Sequence, residues 1–108
     1  WIAMAVHLNG REDILEALKP ALGTGTIRHV VTNFVVDVID EANATCNFYH
    51  TIYYTPDAEF ETSDGPISFE GPHRTHDHHD EWRRTPDGWR IAHREIGVSF
   101  LRREDPPE

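Results

Sequence analysis

Apolar and polar residues alternate along much of the chain, which is typical of strands in a sheet with one covered face. Residues 26–38 are rich in Val, Thr, Ile and Phe, which favour a strand. Residues 44–54 form a second predicted strand, in which every other side chain shares one face. That face is apolar except toward its end and consists of Ala44, Cys46, Phe48, His50, Ile52 and Tyr54. We therefore predict that it faces the core, which opens near His50 and Tyr54.

A β-hairpin is predicted around a turn at residues 85–88. Pro86 presets φ for the turn, and Gly88 accepts the positive φ that closes it. The first arm begins with a polar run at residues 76–80, which consists only of histidine and aspartate. Simple alternation along the second arm places three side chains on one face, namely Trp89, Ile91 and His93. The first arm is either a solvated sheet face or the polar floor of a pocket.

One helix is predicted before the strands, because leucine and isoleucine keep helical spacing between residues 11 and 22. Pro20 removes a backbone donor, so we expect the helix to end or tighten near Lys19. Proline and glycine breakers predict a loop over residues 55–71. The charged segment 102–108 is predicted to be a disordered tail. One helix followed by four antiparallel strands indicates an α+β layer.

Composition narrows the class of protein. A chain of 108 residues holds at most one domain, and its single cysteine, Cys46, excludes an intrachain disulfide and a multi-cysteine zinc site. The formal net charge of −9 argues against nucleic acid and anionic membranes as partners. No segment is long and apolar enough to span a membrane, and no signal-peptide pattern is present. We therefore expect a cytoplasmic globular domain.

Three pieces of the chain carry a resemblance to a known family. They are Asn9-Gly10-Arg11 before the helix, the strand opening at residues 28–33, and the hairpin at residues 80–91. Together they resemble the SnoaL-like branch of the cone-shaped α+β fold shared by nuclear transport factor 2 (NTF2), ketosteroid isomerase and scytalone dehydratase. The resemblance implies an NTF2-like fold, in which a curved, mostly antiparallel sheet packs on helices. It implies a single SnoaL-like domain over residues 1–101.

The resemblance also implies that the N-terminal portion of the domain is missing. The family begins with two helices and a strand that have no counterpart here, and residues 1–8 are apolar from the first position. The concave face would then lack its cover at Val31, Phe48, Ile52, Trp89 and Ile91. Exposing such side chains costs roughly 1.5–3 kcal/mol each. We therefore expect a lone monomer of this chain to be unstable or aggregated.

The resemblance implies catalytic roles for particular residues. His29 matches a catalytic histidine at the start of a strand in scytalone dehydratase, and its strand neighbours Val31, Asn33 and Val35 suit a pocket wall. Tyr54 falls near a second catalytic histidine of that enzyme, and His79 near a pocket asparagine. The alternatives are a surface histidine at position 29 and a Tyr54–His50 hydrogen bond that only satisfies two groups at the edge of the core.

Two interpretations of the histidine-rich arm remain open. If Trp82 is a core residue, then His76, His78 and Asp80 face inward with it, whereas the dehydratase comparison brings in His79 and Glu81. A β-bulge would reconcile the two. We therefore keep both His79 and Asp80 as candidate catalytic residues beside His29 and Tyr54. The expected pocket lining is Val31, Phe48, His50, Trp82, Trp89, Ile91 and His93, where His93 is either a pocket residue or a satisfied core histidine.

A metal site is considered for the histidine run, because zinc accepts imidazole and carboxylate ligands. His76 and His78 share a face, but His78 and His79 point to opposite faces and ligands must converge from several elements. We therefore predict no metal and no cofactor.

The predicted function is a small-molecule acid–base enzyme, a lyase or isomerase acting on a cyclic or polyketide-like apolar substrate. His29 would move a proton, while Tyr54 and a polar group of the His79–Asp80 segment would hold a substrate oxygen. The alternative is a non-catalytic ligand-binding or assembly domain on the same fold. The expected partners are a small hydrophobic molecule and a second copy of the chain. The homodimer would form through the outward face of the second strand, at Tyr49, Thr51 and Tyr53.

Overall fold

A computed structural model describes residues 2–3, 6–21, 25–55, 66, 69 and 71–103. Most of the predicted loop at 55–71 and of the predicted tail at 102–108 lies outside the described residues. The strands are β1 (Ile2–Ala3), β2 (Val6–His7), β3 (Thr26–Val38), β4 (Asn43–Thr55), β5 (Arg74–Thr85) and β6 (Gly88–Leu101). The helix α1 (Gly10–Leu18) continues as a short 3-10 helix over Lys19–Ala21.

The six strands form one sheet in the order β2-β1-β6-β5-β4-β3. The four long strands pair antiparallel with their sequence neighbours, which confirms the prediction of four antiparallel strands. β1 and β2, which the sequence did not predict as strands, pair with each other, and β1 runs parallel to β6. The hairpin turn between β5 and β6 has Gly88 at φ 102°, as expected, and the Thr85 hydroxyl donates to the Gly88 carbonyl.

The helix confirms the predicted effect of Pro20. Its α-helical part ends at Leu18, and the following residues tighten into the 3-10 helix because proline supplies no backbone donor. Leu22, the expected last residue, lies outside the described residues. No side chain of α1 is buried, and Leu15 and Leu18 are 49% and 43% exposed. Within the described residues, no helix has the length and apolar character needed to cross a membrane.

A bulge in β3 changes which side chains face the site. The register shifts between Thr32 and Val35, where Asn33 adopts the left-handed backbone with φ 59°. Asparagine tolerates this conformation better than most residues. Because the bulge adds a residue, Val35 pairs with Asn47 and lies on the face opposite His29. The expectation that Val35 shares the face of His29 is therefore wrong.

A second bulge, in β6, corrects another expectation. Ile91 lies opposite Trp82, but His93 lies opposite Glu81, so Ala92 is the extra residue. Trp89 and Ile91 therefore share the face of Trp82, whereas His93 lies on the other face. Alternation without the bulge had placed all three side chains of β6 together.

The buried apolar core of the described residues is small and consists of Ala44, Cys46 and Ile52. Burial of Cys46 agrees with a small apolar role, and burial raises the pKa of its thiol. Among the side chains expected to be uncovered, Val31 and Trp89 are 38% and 37% exposed. Ile52 is buried, contrary to expectation, and Phe48 and Ile91 are half-buried. On the outward face of β4, Tyr49 is more than half exposed, and the homodimer through this face stays a prediction.

Candidate functional site

Four histidines from three strands converge on one face of the sheet. His50 on β4 lies directly opposite His76 on β5, and His78 follows two residues along β5 on the same face. His29 on β3 lies opposite Ile52, which follows His50 by two residues along β4 and shares its face. We call this the histidine face, defined by His29, Phe48, His50, His76, His78, Asp80 and Trp82. The register places His76, His78 and Asp80 on the same face as Trp82, and His78 and Asp80 are buried there.

The histidine rings are in contact with one another. The ring centroids of His29 and His50 are 4.5 Å apart in an edge-on arrangement. His50 Nδ1 lies 3.1 Å from Nε2 of His78, which is a hydrogen bond between the two imidazoles. His76 lies 5.5 Å from His50 and 5.9 Å from His78, centroid to centroid. Phe48 stacks on His78 at 4.5 Å and forms the apolar side of the cluster.

Burial keeps His50 and His78 uncharged at neutral pH. Desolvation lowers the pKa of His50 and of His78 to about 4, with neighbouring histidines adding to the effect at His50 and Arg94 at His78. Burial, followed by the charge of Arg74, also lowers the pKa of His76. Three buried ring nitrogens have no hydrogen-bond partner: Nε2 of His50, Nε2 of His76 and Nδ1 of His78. The cluster therefore offers neutral imidazole nitrogens that the surrounding protein leaves unused.

An ion pair lies beside His78 on the histidine face. Asp80 is completely buried, and both of its oxygens accept hydrogen bonds of 2.7 Å from the Arg94 guanidinium. Arg94 also lies 5.8 Å from the centre of the Phe48 ring. Arg94 could not be identified from alternation, because its pairing with Asp80 depends on the bulge in β6. Had alternation continued from His93, an arginine at position 94 would have been assigned to the solvated face.

The structure separates the predicted catalytic residues. His29 is exposed, and Tyr54 lies on the same face, with its ring 5.7 Å from that of His73. His79 lies on the opposite face, where Nδ1 is 2.7 Å from Oδ1 of Asn47. The predicted lining residues on the histidine face are Val31, Phe48, His50, Trp82, Trp89 and Ile91. His93 is not among them, and its Nε2 lies 3.2 Å from a Glu95 carboxylate oxygen.

A cavity of about 460 Å³ adjoins the bulge of β3. Its lining comes from both faces of the sheet, because Phe48 and His78 belong to the histidine face and Asn47 and Tyr49 belong to the other. Phe34 also lines it, with its ring 5.4 Å from that of Phe48. The bulge thus helps to shape a cavity at this edge of the sheet.

Acidification from pH 7 to pH 4 should destabilise the full-length protein. The folded pKa of His50 and His78 is about 4 and the ordinary value is 6.5, so the unfolded chain binds more protons between these values. The contribution of these two histidines to the free energy of unfolding is therefore fully present above their pKa in the unfolded chain, 6.5. It is lost as the pH falls through their pKa in the folded protein, about 4. His50 is only half-buried, which reduces its contribution. We expect a loss of about 1 kcal/mol, which corresponds to a Tm lower by about 4–8 °C.

Thermal unfolding followed by circular dichroism over this pH range would measure the loss. The double variant His50→Gln/His78→Gln should lose less stability on acidification, because its remaining pH dependence comes from other groups. An equal loss in wild type and double variant would contradict the assignment of the effect to these two rings.

Solved structures with the same fold cover most of this chain. An NTF2-like protein with a cystatin-like fold from Novosphingobium aromaticivorans aligns with 91% of the chain and 60% of its own length, at 22% identity and a TM-score of 0.69. A proposed scytalone dehydratase from the same organism aligns with 92% of this chain and 61% of its own, at 16% identity and a TM-score of 0.70. A proposed dehydratase of the NTF2-like family from Streptomyces avermitilis aligns with 89% of this chain and 66% of its own length, at 21% identity and a TM-score of 0.67.

The chain thus spans about three fifths of the length of the first of these structures, and the likeness confirms the α+β, NTF2-like fold. No curated protein matches the chain. The family model described as a SnoaL-like domain matches residues 1–95, which is most of the sequence. The match confirms the resemblance seen in the strand and hairpin motifs, and the chain belongs to the family of SnoaL-like domains.

Proposed function

We propose that this chain forms part of an acid–base enzyme of the lyase or isomerase kind that acts on a cyclic or polyketide-like small molecule. The observation that supports it best is the position of His29, exposed on the histidine face and edge-on to His50 at 4.5 Å. Imidazole is the side chain that enzymes use most often for proton transfer. Two structures of the same fold belong to proposed dehydratases, which is consistent with this reaction type.

His29 is the group that would exchange a proton with substrate carbon or oxygen. It is accessible, whereas its neighbour His50 is half-buried and hydrogen-bonded to His78. Because burial keeps His50 neutral, the contact between the two rings places no fixed charge against His29. His50 would thus act as a positioning residue that holds the His29 ring on the sheet.

Tyr54 is the candidate for holding a substrate oxygen, since it lies on the histidine face one pleat beyond Ile52. Asp80 is no longer a candidate for substrate contact, because it is completely buried and both oxygens are engaged by Arg94. His79 is not included either, because it lies on the opposite face and bonds Asn47. The proposed site is therefore His29 and Tyr54, with Phe48 and Val31 as apolar lining.

Turnover in heavy water tests the proposal. The full-length protein would be incubated with cyclic hydroxyketones and related polyketide-like compounds, and NMR and mass spectrometry would follow deuterium incorporation at carbon and loss of water. We expect catalysed exchange or elimination for at least one compound. Binding of these compounds with neither exchange nor elimination would contradict the enzyme and would favour a ligand-binding domain.

A further inference from the structure

We infer that His50, His76 and His78 form a binding site for a divalent transition-metal ion, with zinc as the best fit. One ring nitrogen from each residue lies within 4.8 Å of the corresponding nitrogens of the other two. The ligands come from two hydrogen-bonded strands: His76 and His78 alternate along β5, and His50 faces His76 from β4. The three ligands therefore converge, contrary to the expectation from alternation along β5, because His50 joins the other two from β4.

The spacing of the nitrogens is close to what a zinc ion requires. Zn–N bonds of 2.0–2.1 Å in tetrahedral geometry place two ligand nitrogens about 3.3–3.4 Å apart. His50 Nδ1 and His78 Nε2 are 3.1 Å apart, so a shift of a few tenths of an ångström would admit the ion between them. His76 is the third donor, and its ring must approach the other two, since the separations within the group extend up to 4.8 Å.

The cluster carries unused bonding capacity that metal binding would organise. His78 is only 6% exposed, yet its Nδ1 has no hydrogen-bond partner, and the same is true of the buried Nε2 atoms of His50 and His76. An ion placed between Nδ1 of His50 and Nε2 of His78 would replace their hydrogen bond, and the unpaired Nε2 of His76 would be its third ligand. Of the three unpaired nitrogens, the ion would thus satisfy the one on His76. His50 and His78 are neutral at pH 7, as ligands must be.

The charged groups around the cluster permit a cation. Arg94 is the nearest fixed positive charge to His78, and the buried carboxylate of Asp80 neutralises it with two hydrogen bonds. Arg74 also acts on His76, and Asp77 opposes it with a smaller effect. The charge of Arg94 is therefore compensated by Asp80, and the effect of Arg74 on His76 is reduced by Asp77.

The donor set selects the class of metal. Three imidazoles and no carboxylate suit Zn²⁺ and related transition metals and do not suit Ca²⁺ or Mg²⁺, which prefer oxygen ligands. Three protein ligands leave a fourth tetrahedral position for water, the arrangement of catalytic rather than structural zinc sites. The inference goes beyond the proposed function, because it concerns metal affinity and does not require His29 to transfer a proton.

Metal titration of the full-length protein tests the inference. After removal of bound metal with a chelator, Zn²⁺ would be titrated against a chromophoric competitor, and Co²⁺ would be added to report coordination by its visible spectrum. We expect one ion per chain, tetrahedral cobalt bands, and a Tm that rises with Zn²⁺. His76→Ala and His50→Ala should each lower the affinity for Zn²⁺ by at least about 100-fold. Residues that only hydrogen-bond to metal ligands already contribute about 10- to 100-fold, and a ligand should contribute no less.

His79→Ala is the matched control, because His79 is adjacent to His78 in sequence and lies on the opposite face. It should bind zinc as wild type does. His76 is only partly buried, so the His76→Ala variant tests the site even if a change at the buried His78 prevents folding. Wild-type protein that binds no zinc would overturn the inference. Zinc binding that survives His76→Ala and His50→Ala, or that is lost equally in His79→Ala, would overturn it as well.

Discussion

Replacing His29 by alanine in the full-length protein should lower the turnover number by about 100- to 10,000-fold, the usual contribution of a positioned general acid or base. The effect should fall on the turnover number more than on KM, because the imidazole is proposed to act on the proton in the transition state and not to bind the substrate. The ring is exposed and makes an edge contact with His50. Its removal should therefore change the free energy of unfolding by no more than about 0.5 kcal/mol.

Arg28→Ala is the matched control for this variant. Arg28 precedes His29 on β3 and is exposed, but it lies opposite Tyr53 and therefore on the other face. It should retain wild-type turnover. A His29→Ala variant that keeps full activity would show that the proton is transferred elsewhere. Reduced activity in both variants would point to a general effect on strand β3 and would count equally against the assignment.

Arg94→Met should destabilise the full-length protein by about 3–5 kcal/mol, the usual cost of removing one partner from a buried ion pair. Asp80 is completely buried, and each of its oxygens accepts a hydrogen bond from Arg94, so the substitution leaves a carboxylate without its compensating charge. Methionine keeps part of the apolar stem that packs near Phe48, which limits the loss of packing. Urea unfolding monitored by tryptophan fluorescence would measure the change.

Arg90→Met provides the comparison, since Arg90 lies on the same strand, is exposed and donates a hydrogen bond to the carbonyl of the neighbouring Trp89. Its effect should stay within about 0.5 kcal/mol. The double variant Asp80→Asn/Arg94→Met should recover part of the stability, because it removes the buried charge. A loss below about 1 kcal/mol for Arg94→Met would show that water or another group reaches Asp80 and that the pair contributes little.

Most of the fold followed from local patterns. The bounds of β3 matched the Val- and Thr-rich segment, and the hairpin turn followed from Pro86 and Gly88, because these signals act within a few residues. The strands β1 and β2 were not predicted, since two-residue strands carry no periodic signal. The helix α1 was predicted from the spacing of its leucine and isoleucine residues. That spacing does not indicate whether another element covers the apolar side chains, and Leu15 is half exposed.

The site was predicted less completely, because it depends on register. His29 and His50 were recognised as candidates from a motif and from alternation, respectively. The convergence of His50 with His76 and His78 requires the pairing of β4 with β5, which no local pattern specifies. Because Ala92 is an extra residue in β6, His93 lies on the face away from the site and Arg94 lies directly opposite Asp80. Bulges of this kind are the main reason why alternation alone misassigned side chains here.

The bulge in β3 has a second consequence, which concerns contacts between molecules. Among the described strands, β3 is at the end of the sheet and pairs only with β4, and its Val36 and Val38 are 60% and 72% exposed. A long apolar edge is a template on which another chain can add a strand and begin an aggregate. The left-handed turn of Asn33 interrupts this edge and divides it into the shorter stretches 26–32 and 35–38. The kink that shapes the cavity therefore also shortens the surface on which an amyloid-like ladder would grow.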